Sequence, residues 1–161
     1  MDIFSKVSNF PFICAIDISL TGEIISKSDD FHSSITSGAL FLKSHFRKGD
    51  IQFSEQSKET DAGILYSQKL RISYNSSDVK RSKRIDLVHA ARFVKIELSD
   101  GTEYIIGRND YTQNRPLEVS VKSDLQTSVI EFYAESVVPI TKFTNNVITG
   151  FPGYIPIILG M

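Results

Sequence analysis

The stretch Ile64-Leu65-Tyr66-Ser67-Gln68-Lys69-Leu70-Arg71-Ile72-Ser73-Tyr74 alternates apolar and polar side chains. Successive side chains of an extended chain point to opposite faces. Ile64, Tyr66, Leu70, Ile72 and Tyr74 therefore share one face, and Ser67, Lys69, Arg71 and Ser73 share the other. Only Gln68 breaks the apolar face. The period is two, not 3.6, so it predicts one half-buried strand of about ten residues, longer than the usual five or six. A chain organised around such a strand is a sheet protein.

The same period recurs on both sides of this strand. Val94, Ile96 and Leu98 are assigned inward and Lys95 and Glu97 outward, then Asp100-Gly101 leads into Thr102 to Ile106. Asp-Gly between two alternating runs is a strong hairpin signal. Leu117, Val119 and Val121 precede a turn at Ser123-Asp124, and Ile130, Phe132 and Ala134 follow it. Glu118, Ser120, Lys122 and Glu131 are assigned to the outward face of that hairpin. Toward the N-terminus, Phe12 to Ser19 reads as a strand turned by Thr21-Gly22 into Glu23 to Ser26. Ala39 to Phe46 and Ile51 to Phe53 flank a turn at Lys48-Gly49-Asp50, while Ser26 to Thr36 and Glu55 to Asp61 read as polar loops.

One segment has helical spacing. Val79 to Ala91 follows the capping residues Asn75, Ser76, Ser77 and Asp78, and places Ile85, Val88 and Ala91, or Leu87 and Ala91, three to four residues apart. Its other face is Lys80, Arg81, Lys83 and Arg84. One helix among about eight or nine strands predicts a mainly β fold, a β-sandwich or barrel with one flanking helix. At 161 residues and 41% hydrophobic content the chain has the length and apolar share for a single core. Residues 1–146 form one β-rich domain in this reading.

Residues 147–161 stand apart as a hydrophobic arm. No charged side chain occurs from Phe143 to Met161, yet Gly150, Pro152, Gly153, Pro156 and Gly160 oppose a membrane-spanning helix. Phe151, Tyr154, Ile155, Ile157, Ile158 and Leu159 must still be hidden from water. They are the candidate subunit-contact arm, docking in cis or in trans. The N-terminal run to Asp17 is interrupted by Pro11 and does not read as a signal peptide.

Chemistry-bearing patterns are sparse. Lys+Arg number 18 against 19 Asp+Glu, which argues against a globally basic nucleic-acid binder. His32, His45 and His89 lie on separate elements, and Cys14 sits between Ile13 and Ala15 without a neighbouring cation, as in a core strand. Asp29-Asp30 and Asp100 to Glu103 occupy turns, where Asp serves the backbone. Neither a phosphate-cradling loop nor a Gly-x-Ser-x-Gly elbow occurs. No catalytic, cofactor-binding or metal site is expected, and the chain does not read as an enzyme. Lys80, Arg81, Lys83 and Arg84 are a candidate electrostatic contact, facing solvent or an acidic neighbour rather than reading DNA sequence.

From Glu59 to Pro139 the chain resembles small structural virion proteins of tailed bacteriophages, particularly those infecting Bacteroidetes-type bacteria. The resemblance rests on Asp61-Ala-Gly-Ile-Leu-Tyr-Ser-Gln-Lys-Leu70, on Phe93-Val-Lys-Ile-Glu-Leu-Ser-Asp-Gly-Thr-Glu-Tyr-Ile-Ile-Gly107 and on Ser128-Val-Ile-Glu-Phe-Tyr-Ala134. It implies a tail-tube-like or neck-like fold and a structural subunit in a homo-oligomeric ring. Its partners would be further copies and neighbouring virion proteins, with no sequence-specific nucleic acid and no membrane span. Its place would be the virion, after synthesis in the host cytoplasm. The alternative reading is a monomeric β-sandwich that binds a ligand such as a carbohydrate. The lack of Trp weakens it, because such sites expose aromatic platforms.

The strand register has a direct test. Ile72→Asp buries an unpaired carboxylate and lowers stability by several kcal/mol, whereas Lys69→Asp on the opposite face costs roughly half a kcal/mol or less. Equal losses in denaturant unfolding would reject the register.

Overall fold

A computed structural model of the chain describes residues 11–20, 41–44, 50–75, 77, 79–107, 115–140 and 142, with backbone alone for 41–44. Eight strands and one helix lie among them, in the order β1 (Ile13–Ser19), β2 (Phe41–Ser44), β3 (Gln52–Thr60), β4 (Gly63–Asn75), α1 (Arg81–His89), β5 (Phe93–Leu98), β6 (Glu103–Ile106), β7 (Glu118–Ser123) and β8 (Thr127–Ser136). They form two four-stranded antiparallel sheets. Sheet I has the order β2-β1-β5-β6 and sheet II the order β3-β4-β8-β7.

The architecture is a sandwich and not a closed barrel, because the two sheets share no strand. Ile16, Ile18, Val94, Ile96 and Ile106 of sheet I meet Leu70, Ile72, Tyr74, Ile130, Phe132 and Ala134 of sheet II in one buried cluster. Alternation along each strand sends these side chains to the shared interior. Leu117, Val119 and Val121 join from the β7 side.

β4 carries the expected register and runs longer than expected, thirteen residues. Leu70, Ile72 and Tyr74 are buried, but Ile64 is exposed at the strand's outer end. Its place on the apolar face is as read, but it lies beyond the last β4–β8 pair, Tyr66↔Ser136. Glu55 to Asp61, read as a loop from its polarity, is instead mostly strand. β3 pairs with β4 without a break from Gln52↔Arg71 to Thr60↔Gly63. Residues 56–64 are exposed, so backbone pairing and not burial maintains this hairpin tip. β2 and β3 are not hairpin partners: β2 adds to β1 in the other sheet.

The two sequence-predicted hairpins are present. Between β5 and β6, Gly101 adopts φ 80°, a left-handed conformation that favours glycine, and Asp100 accepts the Thr102 N–H at 2.9 Å. Between β7 and β8, Asp124 accepts the N–H groups of Gln126 and Thr127 at 2.7 and 2.6 Å. Gly107, just after β6, has φ 119°, and a Cβ there would lie 2.5 Å from the Arg92 carbonyl oxygen. No other residue fits there without moving the backbone.

Crossings close both ends of the sandwich. At one end α1 leads from β4 to β5 and inserts Val88, with Ala91 just beyond it. The helix spans Arg81–His89, shorter than the expected 79–91, with Lys80 at the N-cap position without a side-chain hydrogen bond and Ala90 at the C-cap. Asn75 is not its cap. That side chain accepts the Ser77 N–H at 3.0 Å and shapes the preceding turn. At the other end the segment after β8 packs Ile140 on the core, donates its N–H to Glu55 at 2.9 Å and bridges Lys142 to Tyr104 of β6.

Gln68 is the exception in the core. It is fully buried opposite Ala134, and neither end of its amide has a hydrogen-bond partner. A buried, unpaired amide costs about 1–3 kcal/mol. Gln68→Met, of nearly the same length, therefore raises the unfolding free energy by about 1–3 kcal/mol. An unchanged or lower value in urea titration would show that the amide is not a liability.

Candidate functional site

Four basic residues of α1 stand out in the sequence, and the fold divides them. Arg81 reaches β7 and donates to Ser123 Oγ at 2.5 Å, which is itself 2.7 Å from Ser128 Oγ. Arg84 lies over the Tyr74 ring, 4.8 Å from its centroid, and donates to the Asn75 carbonyl at 3.2 Å. Both guanidinium groups thus lock the helix to the ends of β4 and β7. Lys80 and Lys83 face outward and are exposed. The group is a structural clamp on one side and a charged surface on the other. Arg81 also helps to hold the Asp124 carboxyl below its usual range, after the backbone N–H groups of Thr127 and Gln126.

A second charged constellation was not foreseen from the sequence. Lys95, on the outer face of β5, lies 3.2 Å from Asp17 Oδ2 and 2.8 Å from Glu103 Oε1. Antiparallel pairing sets this up: Asp17 is directly opposite Lys95, and Glu103 lies diagonally across on β6. The Lys95 side chain is only 14% exposed and that of Asp17 7%. Phe93, Ile105 and Ser19 on the same face are buried as well. The expected outward, solvated face of this sheet is therefore an interior surface. Burial opposes the Lys95 charge, but the hydrogen bonds and charges of Glu103 and Asp17 outweigh it and raise its pKa. Asp17 Oδ1 has no partner.

The outer face of sheet II is different. Lys69 pairs with Glu131 at 3.2 Å, and Arg115 bridges Glu118 and Glu135 at 2.7 and 2.5 Å. These pairs are partly exposed and belong to a solvated face.

The remaining candidates do not converge. Cys14 is half-buried, less enclosed than its apolar neighbours suggest, and its thiol approaches the Glu97 carbonyl at 3.4 Å. His89 is exposed on α1, while His32, His45, Asp29 and Asp30 lie outside the described residues. Among the described residues no three His, Cys, Asp or Glu side chains are placed to hold a metal, and no helix is long and apolar enough to cross a membrane. Tyr74 is buried and Tyr66, Tyr104 and Tyr133 are half-buried, so no described tyrosine offers an open platform for a sugar ring. The arm with Phe151, Tyr154, Ile155, Ile157, Ile158 and Leu159 lies outside the described residues.

What the described surface does offer is unpaired backbone. Among the described residues β3 and β7 are the two edges of sheet II, and each pairs on one side only. β3 presents nine residues without proline or glycine and in unbroken register. Its polarity hid it, because the only sequence mark of an edge strand at a hairpin tip is the long partner beside it. Comparison with known proteins finds no matching family model, no similar curated protein and no similar solved structure.

The Lys95 constellation predicts a large and specific loss. Lys95→Met leaves Asp17 and Glu103 as uncompensated charges in a covered face and costs about 3–5 kcal/mol near neutral pH. Because the folded pKa of Lys95 is raised, its contribution is complete below about 10.4 and is lost as pH rises through the folded value. Unfolding followed from pH 7 into that alkaline range checks both. A variant as stable as the parent would exclude a role for the ion pairs.

Proposed function

We propose that the chain is a structural subunit that assembles into a ring in the tail or neck of a bacteriophage virion. The observation that supports this most is the pair of open edges on sheet II. Its strands alternate in direction from β3 through β4 and β8 to β7, so the two edges run in opposite senses. When β7 of one copy lies beside β3 of the next, the new pair is antiparallel and the sheet continues without a reversal. The contact uses different surfaces on the two copies. Such head-to-tail contacts close into rings when the rotation between copies divides a full turn.

Strand addition of this kind draws on main-chain hydrogen bonds and needs no particular side chain. That fits a chain whose clearest motifs are structural. It also agrees with the resemblance carried by residues 59–139, in which sheets close across subunits. In this reading residues 147–161 contact a neighbouring copy or the next virion protein. The basic face of α1 meets protein, not a DNA sequence.

The test is the particle itself. Light scattering and electron microscopy of the purified protein should show a ring of defined mass. Gln56→Pro and Ser57→Pro probe the edge, because consecutive N–H groups of a strand point to opposite sides. At the position whose N–H points outward, melting stays within a few degrees of the parent while the ring is lost. A monodisperse monomer for the parent chain, or rings that survive both substitutions, would reject the proposal.

A further inference from the structure

We infer that the folded chain joins Lys95 to Asp17 by an isopeptide bond, formed when Lys95 Nζ condenses with the Asp17 side-chain carboxyl and Glu103 relays the proton. Such a reaction needs an amine, a carboxyl and a proton carrier held together in a site that excludes water. Lys95 Nζ lies 3.2 Å from Asp17 Oδ2 and 2.8 Å from Glu103 Oε1. Asp17 is directly opposite Lys95 on β1, and Glu103 is diagonal to it on β6, so two main-chain ladders hold the three groups. Asp17 is buried, and so are Phe93, Ile105 and Ser19 on the same face. Lys69 and Glu131 approach as closely on sheet II, but on a solvated face.

The step balances without any co-reactant. One proton passes from the Lys95 ammonium to Asp17 Oδ2, leaving a neutral amine beside a neutral acid. The amine attacks Asp17 Cγ, and the Glu103 carboxylate takes a second proton from Nζ. Glu103 then returns that proton to Oδ2, which departs as water while Oδ1 becomes the amide carbonyl. One C–N bond forms, one C–O bond breaks, and nothing is oxidised or reduced. Lys95 rests as the ammonium, so the reactive amine is its minor form. A reaction that runs once and is not reversed tolerates a small reactive fraction.

Burial favours the product. Asp17 Oδ1 has no hydrogen-bond partner, so the charge of this buried carboxylate is met on one oxygen alone. Condensation removes that charge and the Lys95 charge together, and a neutral amide is the cheaper group to keep from water. The covered face also keeps water from hydrolysing the bond. The link would close a loop containing β2, β3, β4 and α1 and fasten β1 to β5. The alkaline loss of stability described for the ion pairs applies to chain that has not condensed. This inference concerns sheet I within one molecule and does not rest on the ring.

Mass spectrometry of the intact, denatured chain tests it. The parent should weigh less than its sequence by one water. Trypsin should release a branched peptide in which residues 7–27 are joined through Asp17 to residues 93–108, with Lys95 uncut. Lys95→Arg keeps a cation for both carboxylates but offers no nucleophilic amine. Glu103→Gln keeps an oxygen near Nζ but cannot relay a proton. Both variants should show their full sequence mass and no branched peptide, and circular dichroism should show the parental β content. A parent at full sequence mass, with Asp17 and Lys95 in separate peptides, would overturn the inference. So would a loss of water that survives Lys95→Arg, which would place it at ring closure of Asp100-Gly101. A branched peptide undiminished in Glu103→Gln would overturn the role of Glu103.

Discussion

Everything in this fold is arranged around one constraint: the apolar face of β4 has to be covered along most of a strand that is longer than its neighbours. Leu70, Ile72 and Tyr74 are buried against sheet I, and the ladders to β3 and β8 satisfy the backbone on both sides. Burial of each such side chain is worth roughly 1.5–3 kcal/mol, so this stripe is the strongest local reason for the sheet to form. Beyond the last β4–β8 pair, the strand does not stop. It continues as a hairpin with β3, held by main-chain bonds because neither face there is buried. The core and the exposed ladder are two outcomes of the same strand.

That division also explains what could be read from residue order. β4 and the β7–β8 hairpin were legible because each has one dry face and one wet face, the β5–β6 hairpin because apolar and charged residues alternate along β5, and each turn holds its Asp for a backbone reason. β3 was not. A strand wet on both sides leaves no alternation to find, and Glu55 to Asp61 has the composition of a loop. Sheet membership was also hidden, since β2 and β3 are close in sequence but belong to different sheets. Pairing partners depend on long-range packing, which a local period does not encode.

The outer face of sheet I was misread for the opposite reason. Asp17, Lys95 and Glu103 have the charges of a solvated surface, yet they neutralise one another in a covered one, beside Phe93 and Ile105. Charge alternation in sequence cannot distinguish exposure from mutual pairing. Of the candidate contacts, the α1 cluster was legible as a cluster, but its division into inward Arg81 and Arg84 and outward Lys80 and Lys83 depends on β4 and β7 lying beside the helix. A recurrent theme is that polar residues here are often interior fastenings.

The strand count of sheet II has an evolutionary corollary. An even number of alternating strands leaves edges of opposite sense; an odd number leaves edges of the same sense. A lineage that gained or lost one strand would invert one border of the sheet and could no longer use it in the same geometry. One that gained a hairpin would keep its parity. Viable insertions in this sheet should therefore arrive as paired strands, and the β3–β4 tip, already longer than the core requires, is the place where the next pair can grow with the least disturbance.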